Sequence, residues 1–236
     1  MINEFLEFVA AYDRQFPSVI RGASADSITR LQSLVRTPLP GSYREFLSRM
    51  GENDGDLRIA FLGTTNVRRI IEYYVEVGRG ESDAPPANCV LIGMGDISAG
   101  DVCLETRNVG EARVVRVLDA EIEGLYAESL EKLLYRTAFL KYEFERRARA
   151  GFYIAQHSGD FVATATQAAM AAGYRAEWFS DAVVFCGRRD DVVLNITQYE
   201  GSPGAIIIGG GSAEQVEAAG KVFEDAGLAR FDQWSK

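Results

Sequence analysis

The chain has 236 residues, 47% of them apolar and 25% charged, the balance of a folded protein long enough for two domains and not of a disordered chain. Its formal charge of −9 is spread over both halves, with 23 acidic against 19 basic side chains in residues 1–150 and 11 against 6 in residues 151–236. Such a field repels phosphate backbones and anionic membranes, so neither nucleic acid nor membrane is an expected partner.

In chain order, Ile2, Phe5, Leu6, Val9 and Tyr12 fall on one helical face, and Pro17 interrupts the pattern. Ser24 or Asp26 caps a second helix whose inward residues are Ile28, Leu31, Leu34 and Val35, ending before Pro38. Tyr43, Phe46, Leu47 and Met50 stand at i, i+3, i+4 and i+7 of a third, which Gly51 is placed to close in the left-handed conformation. LRIAFLG, residues 57–63, reads as a strand. NVRRIIEYYVEVG has strand propensity but helical period, through Val67, Ile70, Ile71 and Tyr74, and is expected to be a helix. A polar loop from Gly78 to Ala87 leads to three apolar runs, NCVLIG, DVCLET and ARVVRVL, an antiparallel meander. Residues 128–145 read as a long helix, carrying Leu130, Leu133, Leu134 and Phe144.

The cationic, glycine-terminated seam ERRARAG, residues 145–151, marks a boundary and gives expected domains of 1–148 and 149–236. Beyond it a helix over 160–172 ends at Gly173, followed by strand candidates YRAEWF, AVVFCG, VVLNITQY and AIIIGG. A last helix opens on Ser212, with Gln215 completing a capping box, and stops at Gly227. The fold class is therefore α+β, with a mainly antiparallel sheet packed by helices followed by a smaller α-β-β-β-β-α domain. No apolar run approaches the roughly 20 residues that span a bilayer. The opening MINEFLEFVAAYDRQF sets Glu4 and Glu7 among its apolar residues and lacks the basic lead of a secretory signal, so a cytoplasmic location is expected.

The short helix SITRLQSLV, the pair Leu39-Pro40, the segment SYREFLSRMGENDGDL, the hairpin VLIGMGDISAGDVCLE and the closing AESLEKLL stand in an order that resembles the SUKH superfamily. That superfamily includes fungal cell-wall-assembly regulators and bacterial immunity proteins. The resemblance covers roughly residues 20–145. Asp54-Gly55 stands where the family has Asn-Gly, and Leu130 where it favours an aromatic residue. Its shared positions shape the fold: Pro40 suits a helix entrance, and Gly55 permits the positive φ of a tight turn. The resemblance implies a non-enzymatic binding module, an immunity-type protein that neutralises a cognate toxin by occluding it, with a basic toxin or nuclease domain as partner.

Few residues offer chemistry. His157 is the single histidine, in a turn-like QHSGD outside the SUKH-like stretch, and any nucleophilic triad must use it. Cys89, Cys103 and Cys186 are scattered, which suits buried thiols and makes a poor zinc set. No cofactor or metal is expected. GENDGD, residues 51–56, lacks the length and late glutamate of a calcium loop. GMGDISAG, residues 93–100, lacks the Lys-Ser/Thr of a phosphate-binding loop and reads as a β-turn. The candidate partner-contact residues are Glu52, Asp54, Asp56 and Asp96, chosen from exposed-turn chemistry. Gly209, Gly210, Gly211 and Ser212, between a strand and a capped helix, form an alternative anion site. With His157 they would serve a rival function, a small-molecule sensor or enzyme; a regulatory scaffold is the third reading. Trp178 and Trp234 are candidate interface anchors, although Trp178, at a strand end, reads first as core.

Overall fold

The computed structural model describes residues 2–60, 62–80, 82–96, 100–106, 112–156 and 159–234. The chain divides into two compact units, 1–137 and 138–236, where the sequence suggested a division at 148/149. Both are mixed α and β, each with one antiparallel sheet carrying helices.

The first unit begins with α1 (Ile2–Ala10), the short α2 (Phe16–Val19) containing Pro17, α3 (Ala25–Leu34), α4 (Gly41–Met50) and α5 (Val67–Arg79). Ser24 caps α3, its hydroxyl accepting from Ser27 N–H, and Asn66 caps α5 by accepting from Arg68 N–H. The helical period of residues 67–79 prevails over their strand propensity because Val67, Ile70 and Tyr74 share the buried face. The sheet is a meander of β1 (Cys89–Gly93), β2 (Asp101–Glu105), β3 (Arg113–Leu118) and β4 (Glu121–Ala127). The fourth strand was not evident from the sequence. It turns back through Asp119 and Ala120, both at positive φ as a two-residue hairpin requires. Leu91 of β1 ties two helices to the sheet. Its carbonyl accepts from the Tyr43 hydroxyl of α4, and its N–H donates to the Tyr74 hydroxyl of α5. α6 (Leu130–Ala138) follows and runs on into a π-helical turn, Phe139–Glu143.

Two local expectations are corrected. Gly51 ends α4 in right-handed, not left-handed, backbone (φ −67°); its glycine is needed because a Cβ would lie 2.6 Å from the Leu47 carbonyl oxygen. LRIAFLG is no strand among its described residues: Arg58 and Leu62 adopt φ of 57° and 49°, which no β ladder accommodates, although Leu57, Ile59 and Ala60 are buried.

The second unit continues with β5 (Arg149–Ala155), α7 (Phe161–Ala171), β6 (Arg175–Ala176), β7 (Val184–Arg189), β8 (Val192–Thr197), β9 (Ala205–Gly210), α8 (Ala213–Asp225) and β10 (Ala229–Trp234). The expected α-β-β-β-β-α order is present, with YRAEWF reduced to the two residues of β6. Two further strands, β5 and β10, flank it and pair with each other, giving sheet order β10-β5-β9-β8-β7-β6. α7 and α8 contribute to one core, in which Phe161, Ala165, Val216 and Phe223 pack with Tyr153, Leu194, Ile206 and Ile208 of the sheet. Burial of each such large side chain contributes about 1.5–3 kcal/mol.

Candidate functional site

The segment between α4 and α5 is irregular, yet side chains hold almost every turn of it. The Asn53 side chain donates to the Val19 carbonyl and accepts from Gly55 N–H at 2.9 Å. Asp54 accepts from Asp56 N–H with one oxygen and from the Thr65 hydroxyl, at 2.7 Å, with the other. Asn66 donates to the Glu52 carbonyl. At the far side, Thr64 and Met94 exchange backbone hydrogen bonds of 2.9 Å, which brings the loop against the β1–β2 connection. Gly63 is required there, since a Cβ would sit 1.8 Å from the Met94 carbonyl oxygen. Gly55 takes φ of 73°, the positive φ read from the sequence, and a Cβ on it would also meet the Phe16 ring at 2.3 Å.

These ties shape a concavity of about 420 Å³ lined by Glu52, Asp54, Asp56, Arg58, Leu62 and Thr65 among others. Three of the four candidate contact residues therefore gather on one surface, in different states. Glu52 is largely covered and paired with Arg68 at 2.9 Å and Arg21 at 4.0 Å. Asp54 is spent on the loop's own hydrogen bonds. Asp56 stands on the rim with Arg58 3.9 Å away, both side chains mostly exposed. Asp96 lies outside the lining, in the β1–β2 connection, where its carbonyl accepts from Gly100 N–H.

Sequence reasoning missed Arg58 and Leu62. Leu62 is 76% exposed, in left-handed backbone that a leucine adopts only at a cost. Its apolar neighbours made the segment read as a strand, a reading in which no exposed turn is expected at Leu62.

The glycine cluster before α8 has local duties. The Gly211 N–H donates to Gln215 Oε1 at 2.7 Å, and Gln215 N–H to the Ser212 hydroxyl at 3.3 Å, so two of the donors an anion would use are occupied. Cβ atoms on Gly209 would meet Phe144, Arg147 and Val193 at 3.0 Å, and on Gly210 Val216 at 3.2 Å; close packing accounts for these glycines. His157 and Ser158 lie outside the described residues.

All three cysteines are buried thiols; burial pushes the Cys89 thiol up to about 11 and raises that of Cys103 well above its ordinary value. Among the described residues no group of three or more His, Cys, Asp or Glu is gathered as a metal site, and no helix is long and apolar enough to cross a membrane. Trp178, expected in the core, is 54% exposed in the turn after β6. Trp234 is partly exposed on β10.

No protein-family model, curated protein or solved structure matches the chain.

Proposed function

We propose that this chain is a non-enzymatic protein-binding module of the immunity type, acting in the cytoplasm by occluding a basic toxin or nuclease domain. The observation that carries the reading is the hydrogen-bonded turns of residues 52–60 and 62–66, with Leu62 exposed at a concavity and Asp56 and Arg58 at its rim. An apolar side chain held outward on strained backbone, with its surroundings fixed by hydrogen bonds, has little ordering entropy left to lose on binding. Glu52 and Asp54 act as supports of that surface, and Asp56, exposed on the rim beside Arg58, would meet a cationic partner there. The overall charge of −9 would raise the association rate with a basic protein, and contact at Leu62 would set the lifetime.

The test is a paired substitution, Asp56→Lys with Leu62→Asp, in a chain whose melting temperature is checked first. Loss of partner binding with an unchanged melting temperature supports the reading. Unchanged binding removes the loop from it.

A further inference from the structure

Three aromatic rings and two carboxylates of the second unit meet at a groove that plays no part in the loop surface. The groove, about 320 Å³, is lined by Tyr153 of β5, Phe231 and Trp234 of β10, and Glu217, Lys221 and Glu224 of α8. The three α8 residues stand at i, i+4 and i+7, one face of the helix. Tyr153 forms a closed floor: it is buried, and its hydroxyl donates to the Val216 carbonyl. The Phe231 ring stands at 75° to it with centroids 5.4 Å apart, and Trp234 is tilted 59° to Phe231 at 5.3 Å. Phe231 and Trp234 remain 38% and 39% exposed.

The Glu224 carboxylate is fixed in place, because its Oε1 accepts from Phe231 N–H at 3.0 Å. The same side chain lines the groove. The Tyr153 hydroxyl responds to the same field: burial pushes it up to about 12, with Glu224 and Glu217 adding to the rise.

We propose that this groove binds a small organic ammonium ion, a quaternary or protonated amine carrying short alkyl groups. Aromatic faces attract a cation within about 6 Å of a ring centroid, tryptophan most strongly, while their apolar carbon accepts the alkyl groups. The two carboxylates supply the counter-charge, which an anion would meet as repulsion and a neutral ligand would leave unused. Lys221 opposes them with one charge against two, on a flexible stem that can swing to solvent. The volume sits at the lower end of small-ligand pockets, roughly 300 Å³, room for a choline-sized head and not for a nucleotide. This inference is independent of the loop reading.

The experiment uses the full chain carrying Trp178→Phe, so that emission reports Trp234 alone. It is titrated with choline and with choline's neutral isostere, in which carbon replaces the quaternary nitrogen. A saturable change with choline, at least about tenfold weaker for the isostere, is the expected result on the scale of cation–π contacts. Glu224→Gln keeps an acceptor for Phe231 N–H, so the strand stays in place, yet should weaken binding by about tenfold on the same scale. Lys221→Met should tighten it. Equal responses to choline and isostere, or an affinity unmoved by Glu224→Gln, would overturn the proposal. So would silence towards choline at millimolar concentration alongside binding of a lysine-rich peptide, which would make the groove a protein contact.

Discussion

Glu224 of α8 accepts a hydrogen bond of 3.0 Å from the backbone N–H of Phe231, on the strand that ends the second sheet. Gln156 N–H donates to the Leu228 carbonyl, so in antiparallel alternation Leu228 and Arg230 bond inward to β5 while the N–H of Phe231 points to the open edge. A helix side chain thus covers a donor that another strand could use. The register shift between Phe231 and Gln233 bends the same edge, a second guard against pairing.

Removing that carboxylate should therefore have two effects. Glu224→Ala is expected to cost about 0.5–1.5 kcal/mol, the net worth of one hydrogen bond, and to make elution volume in size-exclusion chromatography concentration-dependent. Glu224→Gln should do neither. A strictly monomeric Glu224→Ala chain would show that the bulge alone protects the edge.

The shift also explains why the groove was hidden in the sequence. Phe231 and Trp234 are three apart, which in a regular strand puts them on opposite faces; the bulge brings their rings together. ARFDQW carries charges at alternate positions and gave no strand signal, and neither did β5, whose RAGFYIA opens with arginine, alanine and glycine. By contrast, α3, α5 and α8 were legible, because period and caps agree at Ser24 and Ser212 and the period of residues 67–79 decided against propensity. β4 was illegible because its two-residue turn uses Asp119-Ala120 in place of an Asn-Gly or Asp-Gly pair. At the loop, turn chemistry placed Glu52, Asp54 and Asp56 in turns, where the structure has them. Arg58 and Leu62 were lost to a strand reading that tertiary packing of Leu57 and Ile59 overrides.

Gly220 of α8 faces the Tyr153 side chain so closely that an added Cβ would lie 2.1 Å from the hydroxyl oxygen and 2.3 Å from Cζ. Gly220→Ala should destabilise the chain by about 1–3 kcal/mol in urea unfolding, the overpacking outweighing the better helix propensity of alanine. Adding Tyr153→Phe should recover only part of the loss, because the ring carbon still clashes.

The buried Thr65 hydroxyl donates to Asp54 at 2.7 Å and holds the loop's acidic turn. Thr65→Val is expected to cost about 1 kcal/mol and to speed amide exchange at Asp56, measured by hydrogen–deuterium exchange. Unchanged exchange there would mean that the Asn53 turn is sufficient to fix the loop.

Alkaline stability follows from groups whose neutral form the fold favours. Burial raises Cys89 from 9.0 to about 11, Tyr73 from 10.0 to about 12 and Tyr153 from 10.0 to about 12. Each contribution is complete below the ordinary value and is lost as pH rises through the folded one. The melting temperature should therefore fall progressively between about pH 9 and 12 on account of these groups. A melting temperature flat across that window would contradict these assignments. In the native chain at pH 8, Cys89 should react with iodoacetamide far more slowly than after denaturation.

The most direct test of the binding role is a tagged pull-down from the lysate of the organism that makes this protein, run in parallel with the wild-type chain and the Asp56→Lys, Leu62→Asp variant. The account predicts one stoichiometric basic protein on the wild-type chain, toxic when expressed alone and silenced by co-expression, and absent from the equally stable variant. A folded wild-type bait that retains no such protein, or a variant that retains it undiminished, would contradict it.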